Sequence, residues 1–127
     1  MMTEPFHLTL EAVTIAARKA YDERRLTAQN GGDCVYRDRR TGCRCAIGWA
    51  MPDDLLDRLG RLGLMEEAIY FLESDLVMAA NMDMDMISGL QSAHDGWVID
   101  QRKCQEAEFL KQLERCKAEV ERRKQAP

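Results

Sequence analysis

Cys34, Cys43, Cys45 and His94 are the residues of this chain whose types suit soft-metal or thiol chemistry. Three thiolates and one imidazole would make an S₃N zinc set, since both ligand types suit that ion. Cys43 and Cys45 are separated by a single residue, tighter than the usual two-to-four spacing, and no second pair follows. The competing account makes Cys34 and Cys45 small apolar residues that hold a hairpin onto helices. A thiol-nucleophile reading pairs Cys45 with His94 as base and Asp95 or Gln91 as orienting group. Neighbours on a helix point about 100° apart, so Asp95 is expected to orient His94 poorly. In the packing account the His94 ring hydrogen-bonds a backbone group, and Asp95 pairs with a hairpin arginine such as Arg37. The alternating Met82, Met84 and Met86 suggest a thioether site, but flexible methionines more often fill core gaps, and Asp83 and Asp85 suit a helix cap. No glycine-rich phosphate loop is present, because "RTGCRCAIG" lacks the Gly-Lys-Ser/Thr ending.

These residues must be positioned by a small frame. A chain of 127 residues with 46% apolar content has the size and composition of one globular domain, taken here as 1–127. The five cysteines, odd in number and unevenly spaced, argue for a reduced compartment and against a disulfide framework. No long apolar run or signal-like N-terminus is found, so a cytoplasmic protein is expected, with no membrane association.

Thr9 followed by "LEAVTIAARKAYDERRL" predicts a helix capped by Thr9, with Leu10, Val13, Ala17, Ala20 and Tyr21 at helical spacing and an end near "AQNGGD". Then "CVYRDRRTGCRC" alternates around Gly42, which predicts a β-hairpin over 34–45. In one register Cys34 faces Cys45, and Cys34, Tyr36, Cys43 and Cys45 share a face. Pro52 and the acids behind it open another helix. Met65, Ile69, Leu72, Leu76 and Met78 or Ala79 mark a further helical stripe, and Ile87, Leu90, Gln91 and His94 mark one side of a short helix that Gly96 ends or bends. The rest of the chain, 98–124, reads as one long amphipathic helix behind a body of 1–97. Phe109, Leu113, Cys116 and Val120 step along it as a coiled-coil seam. Such a rod spans roughly 40 Å, longer than a compact body of this size covers, so a homodimer through those four residues is expected. The fold class is mainly α (α+β): a helical domain with one inserted β-hairpin and a long C-terminal helix.

"CVYRDRRTGCRCAIGWAMPDD" followed by "LQSAHDGW" resembles a family of small phage and prophage proteins. Its pattern is Cys-x-Tyr-Arg, Gly-x-x-Cys-Ala-x-Gly, Pro-Asp and Leu-Gln-x-x-His-Asp. The matching positions are Cys34, Tyr36, Arg37, Gly42, Cys45, Ala46, Gly48, Pro52, Asp53, Leu90, Gln91, His94 and Asp95. The resemblance spans the middle half of the chain, and the tail after Asp100 departs from it. It implies a viral or mobile-element accessory protein in a bacterial host cell, a group in which inhibitors of host enzymes and defence systems are common.

Charge points to where such a protein would bind. The formal charge of −4 is unevenly spread. Nine acidic residues face only Arg58 and Arg61 between Asp53 and Met86, whereas Arg37, Arg39, Arg40 and Arg44 crowd the hairpin. A dipolar surface of this kind fits a complementary protein better than a duplex, so sequence-specific nucleic-acid binding is not expected. The partner-binding residues are Arg37, Arg39, Arg40 and Arg44, whose forks grip carboxylates, and the belt of Asp53, Asp54, Asp57, Glu66 and Glu67, which could mimic nucleic-acid charge. The expected function is non-enzymatic: an anti-defence, anti-CRISPR-like inhibitor that binds a host protein, with a nucleic-acid-binding defence complex as one target, and without a cofactor. The alternative is a small zinc-binding or cysteine enzyme built on Cys34, Cys43, Cys45 and His94.

Overall fold

The computed structural model describes residues 6–26, 29–30, 33–34, 43–61, 77–100 and 103–125. Among them, helices dominate. Strand β1 (Phe6–His7) leads into α1 (Leu10–Asp22). Strands β2 (Gln29–Asn30) and β3 (Asp33–Cys34) follow, then a 3₁₀ turn (Gly48–Ala50) and α2 (Asp53–Arg61). Strand β4 (Val77–Met78) precedes α3 (Asn81–Asp100) and α4 (Lys103–Gln125). The mainly α class with a small hairpin and a long last helix is thus observed.

Thr9 caps α1 as its residue type predicts, its Oγ1 accepting from Ala12 N at 3.1 Å. Leu10, Val13, Ala17 and Ala20 are buried on the face that the apolar spacing marks. The helix ends at Asp22 rather than near Asn30, because Arg24 takes the left-handed conformation at φ 59°. Arg24 N then donates to Tyr21 O and Arg25 N to Ala20 O, which closes the helix end without a glycine.

The "NGG" run therefore serves a different purpose. Asn30 pairs with Asp33 and Gln29 with Cys34 in an antiparallel ladder, so the residues on either side of the two glycines are strand and not a helix end. This hairpin lies upstream of the one expected over 34–45, whose tip at 35–42 is outside the described residues. The ladder partner recorded for Cys34 is Gln29, not Cys45. A second pairing has no local signature: β1 runs parallel to β4, with Phe6 opposite Val77 and His7 opposite Met78. The helical stripe expected from Met65 to Ala79 lies outside the description up to Leu76, and at Val77–Met78 the chain is strand.

The C-terminal third is also rearranged. Val98, Ile99 and Asp100 belong to α3, and a second helix restarts at Lys103, so the expected single rod from 98 is two helices. They run antiparallel: Gly96 lies opposite Gln105, Gly89 opposite Gln112, and Asp83 opposite Arg123. A Cβ at Gly96 would meet Gln105 Oε1 at 3.4 Å, close to ordinary contact. Gly96 does not end α3, which continues to Asp100. α1 packs across both helices and against the 3₁₀ turn.

This packing gives the expected dimer residues a place within their own chain. Phe109 is 0% exposed, and Leu113 and Cys116 are 1% exposed, all within the core of their own chain. Val120 is partly buried against the same core. The 23 residues of α4 span about 35 Å and the 20 of α3 about 30 Å, so α4 is matched by a helix of similar length and the presumed overhang vanishes. Phe109, Leu113 and Cys116 are thus occupied within their own chain.

Candidate functional site

Irregular backbone leaves N–H and C=O groups unpaired, and buried ones require partners. In this protein the segments at Leu26 and at Cys45–Gly48 are buried and non-helical, and α3 supplies them with side chains. Gln91, Ile87, Leu90 and His94 are all buried on one side of that helix, as their spacing predicts.

Gln91 Oε1 accepts from Ile47 N at 3.1 Å. That bond fixes the amide orientation, so Gln91 Nε2 donates to Asp95 Oδ1 at 2.7 Å. His94 is fully buried, and its Nε2 lies 2.6 Å from Leu26 O. A carbonyl only accepts, so Nε2 carries the hydrogen. His94 Nδ1 sits 3.0 Å from Asp95 Oδ1 and 3.4 Å from Gln91 Nε2. The expectation that Asp95 is poorly placed to orient its neighbour is not met: its Oδ1 lies between Gln91 Nε2 and His94 Nδ1. The expectation of a backbone hydrogen bond from the His94 ring is met, and its partner is 68 residues away in sequence.

A second cluster surrounds Trp49. Its Nε1 donates to Arg25 O at 2.9 Å, and Arg44 N donates to the same carbonyl at 3.2 Å. The guanidinium groups of Arg25 and Arg44 lie over the indole, 5.0 and 4.9 Å from its centroid. Arg44 also pairs with Asp53, and weakly with Gly48 O and Met51 O at 3.5 Å. Thus Arg44 and Asp53, two members of the expected partner surface, engage each other. Asp54 and Asp57 are exposed on α2, while Arg37, Arg39, Arg40, Glu66 and Glu67 lie outside the described residues.

For the metal and thiol readings, the ring of His94 decides. Nε2 donates to Leu26 O and Nδ1 is enclosed by Gln91 Nε2 and Asp95 Oδ1, so coordination or base chemistry would first have to displace a buried contact. Cys45 is buried and its sulfur accepts from Gly48 N at 3.3 Å. Cys43 is partly exposed, and the Cys34 side chain is outside the described set. Among the described residues no three His, Cys, Asp or Glu side chains converge as a metal-holding group. Of the alternating methionines, Met84 and Met86 pack on the core and Met82 is exposed. Asp83 binds Leu10 N at 3.1 Å and Arg123 at 2.7 Å, so it caps α1 rather than its own helix.

The chain matches no family model, no curated protein and no solved structure.

Proposed function

We propose that this is a non-enzymatic binding protein of phage or prophage origin that acts on a host protein in the bacterial cytoplasm, with a defence complex of the CRISPR-Cas type as its target class. The observation that carries the reading is the use to which Gln91, His94 and Asp95 are put. Their polar atoms hold the backbone at Leu26 and Ile47, the two points that bracket the segment bearing Arg37, Arg39 and Arg40. Side chains with the types of a reaction centre are spent on anchoring both ends of a basic segment, which supports presentation of that segment and not turnover. Arg44, stacked on Trp49 and paired to Asp53, extends the anchor at its C-terminal end. Among the described residues no helix is long and apolar enough to cross a membrane, which accords with a partner met in solution.

Affinity capture from host lysate tests this, using wild type beside the double variant Arg39→Glu, Arg40→Glu. The variant should melt as wild type does, because the sequence predicts a hairpin turn at Arg39 and Arg40, and charges at such a position add little to folding. It should lose the captured host protein, and the remaining binding should change its salt dependence. Full retention of the partner would move the contact to the acidic residues of α2. Stoichiometric zinc in purified protein would overturn the non-enzymatic reading in favour of the cysteine–histidine one.

A further inference from the structure

We propose that the cavity at the C-terminal end of α1 binds a nucleoside phosphate whose base carries an exocyclic amino group. The cavity measures about 530 Å³ and is lined by Tyr21, Asp22, Arg24, Leu26, Trp97 and Glu106. That volume lies within the range of small-molecule sites. The inference goes beyond the protein-binding reading and uses none of the arginines of segment 35–42.

Arg24 is the first observation. Among the described residues it is the non-glycine residue with positive φ, and it occupies the helix-closing position where glycine or asparagine avoids the Cβ clash. A strained residue persists where its side chain has a use. Yet the Arg24 guanidinium makes no hydrogen bond or ion pair among the described residues, although it lines the cavity. Its planar fork matches a phosphate.

Other lining residues supply the other two needs of such a ligand. Glu106 Oε2 accepts from Tyr21 Oη at 2.8 Å, and its Oε1 has no partner among the described residues. The Glu106 carboxylate at that hydrogen bond, together with burial, pushes the Tyr21 hydroxyl above its ordinary value and keeps it a donor. Oε1 is thus a fixed acceptor, suited to an amino group of adenine or cytosine. The Tyr21 and Trp97 rings stand 5.8 Å apart, and Trp97 is backed by Phe109 at 5.5 Å, a rigid surface for a flat base. Asp22 does not repel the phosphate unopposed, because its carboxylate lies 3.4 Å from Arg18.

The test is a titration of the full chain with adenosine, cytidine and uridine monophosphates and with free tryptophan, followed at the Trp97 indole N–H by NMR, with Trp49 as the reference outside the cavity. Adenosine and cytidine monophosphates should produce saturable shifts at Trp97. Uridine monophosphate, which lacks the amino group, should bind roughly tenfold more weakly. Arg24→Gly should melt at or above the wild-type temperature, since it relieves the backbone, while adenosine monophosphate binding weakens by about tenfold or more. Arg24→Asn, which also tolerates this conformation, should behave alike. The proposal fails if neither amino-bearing nucleotide saturates, if uridine monophosphate or tryptophan binds as well, or if both Arg24 variants retain affinity. It fails equally if both variants melt well below wild type, for then Arg24 serves the fold.

Discussion

Helix α3 is bound to the rest of the protein by two seams of opposite character. Along one side it meets α4 and α1 through apolar residues, with Phe109, Leu113 and Cys116 excluded from water. On its other contact it meets the irregular chain at Leu26 and Ile47 through an amide, an imidazole and a carboxylate. The difference follows from what each partner presents. A helix satisfies its own backbone and asks a neighbour only for apolar surface, whereas a loop brings unpaired N–H and C=O groups that must be met one by one. The apolar seam should therefore fail in proportion to lost area, and the polar seam in proportion to orphaned atoms.

Leu113→Asp should have the largest effect. A carboxylate placed at a site 1% exposed has no partner, and a loss of about 4 kcal/mol or more in urea unfolding is expected. A folded, stable variant would favour the dimer seam over this packing. His94→Ala should cost about 2–3 kcal/mol, leaving Leu26 O without its donor. Gln91→Ala orphans Ile47 N, and the pair should be non-additive in a double-mutant cycle by about 0.5 kcal/mol or more. Additive losses would mean that the polar seam is a set of independent bonds. Cys45→Ala removes a buried sulfur and the acceptor of Gly48 N, and should lower stability by about 1–2 kcal/mol. An unchanged melting temperature would remove the packing account of this cysteine.

The smallest effect concerns pH at the free end of the apolar seam. Hydrogen bonds from Arg122 and Arg123 hold Glu119 down at about 2. A depressed carboxylate contributes stability that is present above its ordinary value and lost as pH falls through the folded one. The last turns of α4 should therefore lose this support progressively as pH falls from the ordinary carboxylate value towards about 2, and Glu119→Gln should abolish the titration step near 2 seen by NMR. A transition one or more units higher would show that the arginines do not hold the carboxylate in solution.

What the sequence made legible was local. Thr9, the spacing of Leu10 to Ala20, and the grouping of Ile87, Leu90, Gln91 and His94 all express contacts within a few residues. The end of α1 was misread because Arg24 adopts the conformation for which glycine is the usual signal. The division of the C-terminal segment into α3 and α4 escaped because no Gly or Pro stands between Val98 and Gln125. The site was half legible: His94 was expected to bond backbone, but nothing near it pointed to Leu26. The parallel pairing of Phe6 with Val77 links residues whose neighbours carry no hint of each other.

Asp83 joins three distant parts of the chain, the first amide of α1 at Leu10 and the last turns of α4 at Arg123. During synthesis from the N-terminus, α1 must wait for 73 further residues before its Leu10 amide meets this carboxylate, and 40 more before Arg123 arrives. Both contacts can therefore form only after most of the chain has been made, the Leu10 bond first and the Arg123 pair last.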